Sequence, residues 1–447
     1  MTHQQPDMLA DLPGDGLPAR AAALDILTQV LGQKKMLDSV LERAEPFRAL
    51  PPRDRAFVRM MAATALRRKG QLDDLIARTM AKGEAPRPES LRYILYLGIT
   101  QILFMDVANH AAVDTSVRLA AQSGLESKKG FVNAVLRRIA GEEGRQWLSE
   151  QDEAALNIPA WLYGQWMTSY GAVRAKDIAL ASLGEAALDI TLKDPAKAQE
   201  WAERLGASVL PTGSLRKTDG GLVTEFDGFE GGDWWVQDAS SAIPARLFGD
   251  IKGKTVLDLC AAPGGKTMQL AAMGANVVAL DRSASRMAHL TENLKRTGLS
   301  ERVQTIVEDG AHWRPREKFH YVLMDAPCTA TGTLRRHPDL LSLKNERDQN
   351  GLCDIQERLL LNALSLVEVG GILIYCTCSL QKQEGEEMID AFLQSYTSFA
   401  RIPVRKEGFS GIDGAINSEG DIRILPYHLK ELGGMDGFFI SRMQRVS

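Results

Sequence analysis

The sequence predicts an α/β protein in which an open sheet, wound with helices on both faces, fills the C-terminal half. An all-helical region and a small α+β segment precede it. Three observations predict this. From Gly253 onward, short β-branched runs alternate with helical runs. Before residue 142, apolar residues recur almost entirely at helical spacing. The chain has 447 residues, too many for one ordinary domain.

Residues 1–16, MTHQQPDMLADLPGDG, lack the basic start and apolar core of an export signal, and their Pro, Gly and Asp predict a disordered tail. Residues 17–142 are expected to form a helical bundle. Ala22, Leu24, Ile26, Leu27, Val30 and Leu31 lie on one stripe, and a second stripe covers 55–68. Further helical stretches cover 91–105, 110–124 and 129–141. Residues 145–235 are mixed and read as a small α+β connecting domain. There 161–171 is helical in pattern, 187–193 resembles a strand, and 220–238 sets turn glycines between short strands. Residues 236–447 complete the chain. KTVLDLC, NVVALD, VQTIVED, FHYVLMDAPC and GILIYCTC are strands, and helical runs separate most of them.

Composition excludes several classes. With 45% hydrophobic and 25% charged residues the chain reads as globular, and no uninterrupted apolar stretch is long enough to cross a bilayer. The five cysteines are odd in number and accompany no export signal, so reduced thiols in the cytoplasm are expected. No metal site is expected: Cys376 and Cys378 form a C-x-C pair with no adjacent His or second Cys pair. The charge is uneven. Residues 17–142 carry 20 Lys and Arg against 13 Asp and Glu, whereas the whole chain has a net charge of −4. That balance fits a module that binds a polyanion, and equally a solvated helical surface.

The segment VLDLCAAPGGKT joins the first strand of the sheet to its first helix, where a doubly wound sheet binds its ligand. Three readings compete. A nucleotide-phosphate loop, Gly-x-x-x-x-Gly-Lys-Ser/Thr, fails because Cys260 stands where the leading glycine belongs. The dinucleotide pattern Gly-x-Gly-x-x-Gly is absent. An S-adenosylmethionine loop fits. It has Asp258 before the loop, Asp281 ending the second strand for the ribose hydroxyls, and Asp309 after the third strand toward the adenine amine. Gly264 and Gly265 would let the backbone approach the ligand.

Two further strands end in MDAPC and IYCTC, carrying Cys328 and Cys378 to the same edge. Two thiols beside a methyl-donor site suit methylation of a pyrimidine at carbon 5. That carbon becomes nucleophilic only after a thiolate adds at carbon 6. Asp325 is set to absorb the charge developing at ring nitrogen 3. Cys353 reads as a core residue, and Cys376, on the face of Cys378, could be either core or catalytic, core being favoured.

LDLCAAPGGKT, ALDRS, VEDG, MDAPCTATGTLRRHPD and YCTCSL, with VQDASS upstream and GMDGFF downstream, resemble the NOL/NOP/Sun family of RNA cytosine-5 methyltransferases. The departures are Thr-Ala-Thr-Gly at 329–332, where Ser-Gly-Thr-Gly is usual, and Cys376 in place of Ala. The N-terminal helices resemble the NusB-like RNA-binding fold. The combination is similar to the bacterial Sun-type branch, which acts on 16S ribosomal RNA. The resemblance implies a Rossmann-like methyltransferase domain using S-adenosyl-L-methionine, with RNA as partner and the chain acting as a monomer. It implies Cys378 as nucleophile, Cys328 in product release and Asp325 on the base. Cofactor contacts would fall on Cys260, Ala261, Ala262, Pro263, Gly264, Gly265, Lys266, Asp281, Asp309 and Asp325. Whether Lys266 meets the cofactor or the base stays open.

Overall fold

The computed structural model describes residues 16–80, 85–405 and 412–447. The tail expected at residues 1–16 lies outside them, apart from Gly16. The chain divides into two compact units. One extends to Tyr163 and takes in His337–Lys344; the other comprises Gly164–Arg336 and Asn345–Ser447.

The first unit is helical. Helices Leu17–Leu27, Pro52–Arg67, Glu89–Phe104, Asn109–Gln122 and Lys129–Ala140 enclose one core that includes Ile26, Met61, Leu95 and Leu136. Glu89–Phe104 buries residues around most of its circumference, which makes it the centre of the bundle. The stripe ending at Val30 and Leu31 stays buried, although Thr28–Gly32 is wound as a π-turn. His337–Lys344 comes from the far end of the LRRHPD run. Its Asp339 accepts the Leu37 N–H at 3.0 Å, a donor otherwise left orphaned in the first turn of helix Leu37–Arg43. His337 lies 3.3 Å from Asp38 in the same unit.

The second unit holds two sheets. The smaller contains β1 (Leu188–Leu192), β2 (Ser208–Val209), β3 (Leu215–Lys217) and β4 (Trp234–Val236), antiparallel in the order β2-β3-β1-β4. The larger contains β5 (Thr255–Leu259), β6 (Asn276–Asp281), β7 (Val303–Val307), β8 (Phe319–Asp325), β9 (Val367–Thr377), β10 (Phe399–Arg401), β11 (Ile422–Ile424) and β12 (Phe438–Arg445). Its order is β10-β12-β9-β8-β5-β6-β7, with β11 beside β12. The five strands read from sequence are those that pair in parallel. β10, β11 and β12 add an antiparallel edge. Winding runs outward from β5 to β7, then returns to β8 on the other side. The crevice therefore opens at the carboxyl ends of β5 and β8.

The residues read as a connecting domain, 145–235, do not stand apart. Up to Tyr163 they belong to the helical unit, where Gln151 donates to Asp74 at 2.8 Å and Asn157 to Gln71 at 2.8 Å. The remainder joins the sheet unit through buried charge. Arg216 of β3 makes paired bonds of 2.7 and 2.8 Å to Asp189 of β1 and donates to the carbonyls of Leu432 and Gly434 at 2.8 and 2.6 Å. Asp189 also accepts the Ala239 N–H at 3.1 Å. Arg216→Ala strands the Asp189 carboxylate and is expected to cost the second unit about 3–5 kcal/mol. Urea unfolding followed through the buried Trp234 and Trp235 measures it. A loss under about 1 kcal/mol would show that this pair does not join the two sheets.

Candidate active site

The carboxyl edge of the large sheet gathers the site. β5 ends at Leu259, and Cys260 turns the chain with φ +62° before the loop enters helix Gly265–Ala272. Ala261 donates to the Leu280 carbonyl at 3.1 Å and Ala262 to Asp281 at 3.2 Å, so the end of β6 anchors the loop. Pro263 is the loop's exposed tip. Gly264 adopts φ +108°, and a Cβ there would meet Leu290 at 2.8 Å. Its need for glycine thus arises from backbone conformation and from the helix beneath, not only from an approaching ligand. A Cβ at Gly265 would meet only Gln237, at ordinary contact distance, so the first turn of the helix stays open.

Three acids stand at successive strand ends, with different surroundings. Asp258 is fully buried and accepts the Thr267 hydroxyl at 2.6 Å. Burial pushes its carboxyl up to about 7. It fastens β5 to the helix under the loop. Asp281 is buried at the loop's lip, also accepting the Ser283 N–H at 2.9 Å, with Arg286 3.6 Å away. Asp309 is exposed beyond β7 and accepts the Ala311 N–H at 3.0 Å, closing its own turn.

The thiols lie on the other side of the crevice. β8 and β9 pair so that Asp325 is opposite Cys376. Cys328 and Cys378 follow the two strand ends with their sulfurs 3.5 Å apart. Lys266 reaches across from the loop helix to Asp325 at 2.7 Å and to the Ser241 hydroxyl at 2.8 Å, with its ammonium 5.1 Å from the Phe438 ring centre. Burial opposes the charge on Lys266, but Asp325 and the neighbouring thiols outweigh it and hold its pKa above the ordinary value. Cys376 donates its S–H to the other Asp325 oxygen at 3.6 Å. Lys266 is 8% exposed and Asp325 33%, so the carboxylate is the partner that faces outward.

The four thiols with altered titration differ in cause. The hydrogen bond to Cys378, then burial, hold the Cys328 thiol well above its ordinary pKa. Burial and then Asp325 do the same for Cys376. Burial raises Cys260, and also Cys353, to about 11 in the latter. Cys353 sits on helix Glu346–Leu366 with its sulfur 3.8 Å from the Gln383 carbonyl. Among the described residues no cluster of His, Cys, Asp and Glu could hold a metal ion. No described helix is long and apolar enough to cross a membrane. Sequence reasoning gave no role to Ser241, Phe438 or Glu384, although the first two lie in the VQDASS and GMDGFF segments that carried the resemblance.

Residues 248–444 match the family model for 16S rRNA methyltransferase RsmB/F, and residues 17–141 match the NusB family model. Ribosomal RNA small subunit methyltransferase B of Xanthomonas campestris is 34% identical over 405 residues, covering 87% of this chain and 90% of the relative. The protein of the same name from Cronobacter sakazakii is 31% identical, covering 90% and 96%. The chain belongs to the RsmB/F methyltransferase family. Two solved structures share its fold. PH0851 has a TM-score of 0.75 at 23% identity, over 98% of this chain and all of that one. NSun6 from Pyrococcus horikoshii with SFG has a TM-score of 0.55 at 18% identity, over 65% of this chain and 99% of that one.

Membership in the RsmB/F family bears out the fold and the methyltransferase resemblance read from the motifs, and makes S-adenosylmethionine the cofactor. The loop fits that molecule. The open first turn of helix Gly265–Ala272 offers N–H groups without intrahelical partners, and the buried Asp281 carboxylate stands beside it. Asp281→Ala removes this carboxylate together with the anchor of the Ala262 N–H. It is expected to weaken S-adenosylmethionine binding by about 1.5–3 kcal/mol, read by calorimetry. Unchanged affinity in the folded variant would move the contact to another residue.

Proposed function

We propose that this chain methylates carbon 5 of a cytosine in RNA, 16S ribosomal RNA in the cytoplasm being its substrate, through a covalent bond between Cys378 and the base. The observation that carries the reading is the pair of sulfurs 3.5 Å apart beside the Lys266–Asp325 pair. Two thiols at one sheet edge are more than packing requires, and one alone would serve addition.

S-adenosylmethionine supplies an electrophilic methyl group on a sulfonium. In this reading the loop Cys260–Ala261–Ala262–Pro263–Gly264–Gly265 holds it, Asp281 takes the ribose hydroxyls, Asp309 the adenine amine, and Asp325 faces both cofactor and base. Lys266 works on the base side, because its ammonium already spans Asp325 and Ser241.

The target cytosine must leave its stack, since a stacked base is closed to attack on its ring face. The Cys378 thiolate adds to carbon 6, and the electron pair displaced from the 5,6 double bond is delocalised toward nitrogen 3. The Lys266–Asp325 pair suits that position, the Lys266 ammonium sharing its proton as charge develops at nitrogen 3 while the Asp325 carboxylate accepts from the base. Carbon 5, now an enamine carbon, takes the methyl group. Its proton then passes to a base, water serving if no side chain does. The freed electron pair re-forms the 5,6 double bond and expels the Cys378 sulfur from carbon 6, and nitrogen 3 returns the proton it shared. The proton at Cys328 suits this last stage, because Cys328 keeps it next to the sulfur that must depart. The net basic charge of residues 17–142 supports RNA binding by the helical unit.

The two thiols separate experimentally. Cys378→Ala is expected to abolish methylation and to form no adduct. Cys328→Ala is expected to add and methylate once and then stall, accumulating a protein–RNA species that survives denaturing gel electrophoresis. Two active, mildly destabilised variants would make both residues packing, and an adduct in Cys378→Ala would exchange the roles.

A further inference from the structure

Both reactive cysteines stand beyond the ends of their strands, so sheet pairing alone does not hold them. The ladder fixes Asp325 against Cys376, and the Ala326 N–H reaches the Cys376 carbonyl at 2.9 Å. The next backbone link is the Gly332 N–H to the Cys378 carbonyl at 2.8 Å. Cys328 lies in the gap between them.

The Thr329 and Ser379 hydroxyls meet across that gap at 3.1 Å, and one buried carboxylate binds both sides of it. Glu384, at the end of the turn Lys382–Glu384, is fully buried. Its carboxylate accepts the Thr329 N–H at 2.9 Å and the Thr329 hydroxyl at 2.5 Å, from the residue that follows Cys328. It accepts the Ser379 hydroxyl at 2.5 Å, from the residue that follows Cys378. It also accepts Gln356 Nε2 at 3.0 Å, and the same amide donates to the Pro327 carbonyl at 2.8 Å. The nearby Arg423 guanidinium bonds Glu386 at 3.0 Å and the Ser379 carbonyl at 2.5 Å instead. All four donors to Glu384 are therefore neutral, and the carboxylate is held by directional hydrogen bonds. Among the described residues no cation bonds it directly, although the Arg423 charge acts on it from nearby. A buried carboxylate so held is costly where an apolar side chain would pack. What this one adds is geometry, since it binds the residue after each thiol.

We propose that Glu384 is the positioning residue of the thiol pair, tying the chain after Cys328 to the chain after Cys378 and so setting the separation of the two sulfurs. Its charge has a second effect. After the Cys378 hydrogen bond and burial, Glu384 adds to the forces that keep Cys328 protonated. The inference rests on the two-thiol reading for its catalytic meaning, but its geometry is testable without RNA.

The test uses the full chain and diamide, a two-electron oxidant that joins two adjacent thiols as a disulfide while it is itself reduced to the hydrazine. Closure of the Cys328–Cys378 bond is followed by mass spectrometry of the peptides. The rate in Glu384→Ala should fall by about tenfold, the equivalent of one charge-assisted hydrogen bond. In Ser379→Ala, a smaller change that decides the matter if Glu384→Ala does not fold, closure should slow by about threefold. Each folded variant should also lose kcat with KM for RNA and affinity for S-adenosylmethionine unchanged, a split that general destabilisation does not produce. Closure at the parent rate in a folded variant would overturn the proposal. The two-thiol reading fails separately, through a Cys328→Ala chain that accumulates no adduct while Glu384 is intact.

Discussion

The parallel register between β8 and β9 is the constraint on which the site depends. It sets Asp325 directly opposite Cys376 and brings the two cysteine loops out side by side. On the other side of β8, β5 pairs so that Asp258 lies opposite Leu323, and the loop with Lys266 emerges next to Asp325. A slip of one residue in either pairing would turn Asp325 from the crevice to the opposite face of the sheet. Such slips are blocked by burial on both faces. Val322, Leu323 and Met324 are all buried, so neither set of side chains tolerates exchange with the other.

Around this frame, buried charge joins segments that are distant in sequence. Arg336 bonds Asp238 at 2.7 Å and Asp436 at 2.8 Å, linking the VQDASS, LRRHPD and GMDGFF segments at one point. Burial, and then Asp238, push the Asp436 carboxyl up to about 6. Arg216 and Asp189 extend the cluster into the small sheet. Such pairs contribute little net stability compared with apolar packing, but removing either partner is severe, so they act as fixed joints. Gly332 follows the same logic sterically. A Cβ there would come within 2.1 Å of the Gly437 carbonyl oxygen and 2.7 Å of the Cys378 carbonyl oxygen, so the cysteine loop, the end of β9 and the GMDGFF turn close on one glycine.

What was legible in the sequence follows from this division. β5, β6, β8 and β9 are largely buried and read as apolar runs, β7 is a more exposed edge strand marked by its β-branched residues, and the helical stripes of the first unit are equally direct. The residues proposed to carry the chemistry stood out in the sequence because they cluster at strand ends. β10 and β11 were not, since three residues carry too little pattern, and β12 hides two arginines in FFISRMQR. The fate of 145–235 was not legible because Arg216 finds its carbonyl partners more than two hundred residues away. Glu384 lies in QKQEGEE, a run that reads as a solvated turn. Nothing local announces that one of its acids is buried under two loops. Asp339 is similar, its capping of Leu37 crossing some three hundred residues of chain.

The thiol pair also has an electrostatic logic. Two equal thiols in contact would compete for one negative charge, and a nucleophile must win that competition each cycle. Here the asymmetry is built into the surroundings. Cys328 faces Glu384 and the sulfur of Cys378, both of which favour its protonated form. Lys266, a buried cation, interacts with Asp325, Cys376 and Cys378. Cys376 is also kept protonated, by burial and by the Asp325 carboxylate it bonds, which leaves it a donor to the base-side acid instead of a third competitor. A proton is therefore retained on Cys328, 3.5 Å from the Cys378 sulfur. In the proposed reaction, release draws on that proton. In that reaction Lys266, Asp325 and Glu384 surround the thiol pair, the first two on the base side and the third behind the cysteine loops.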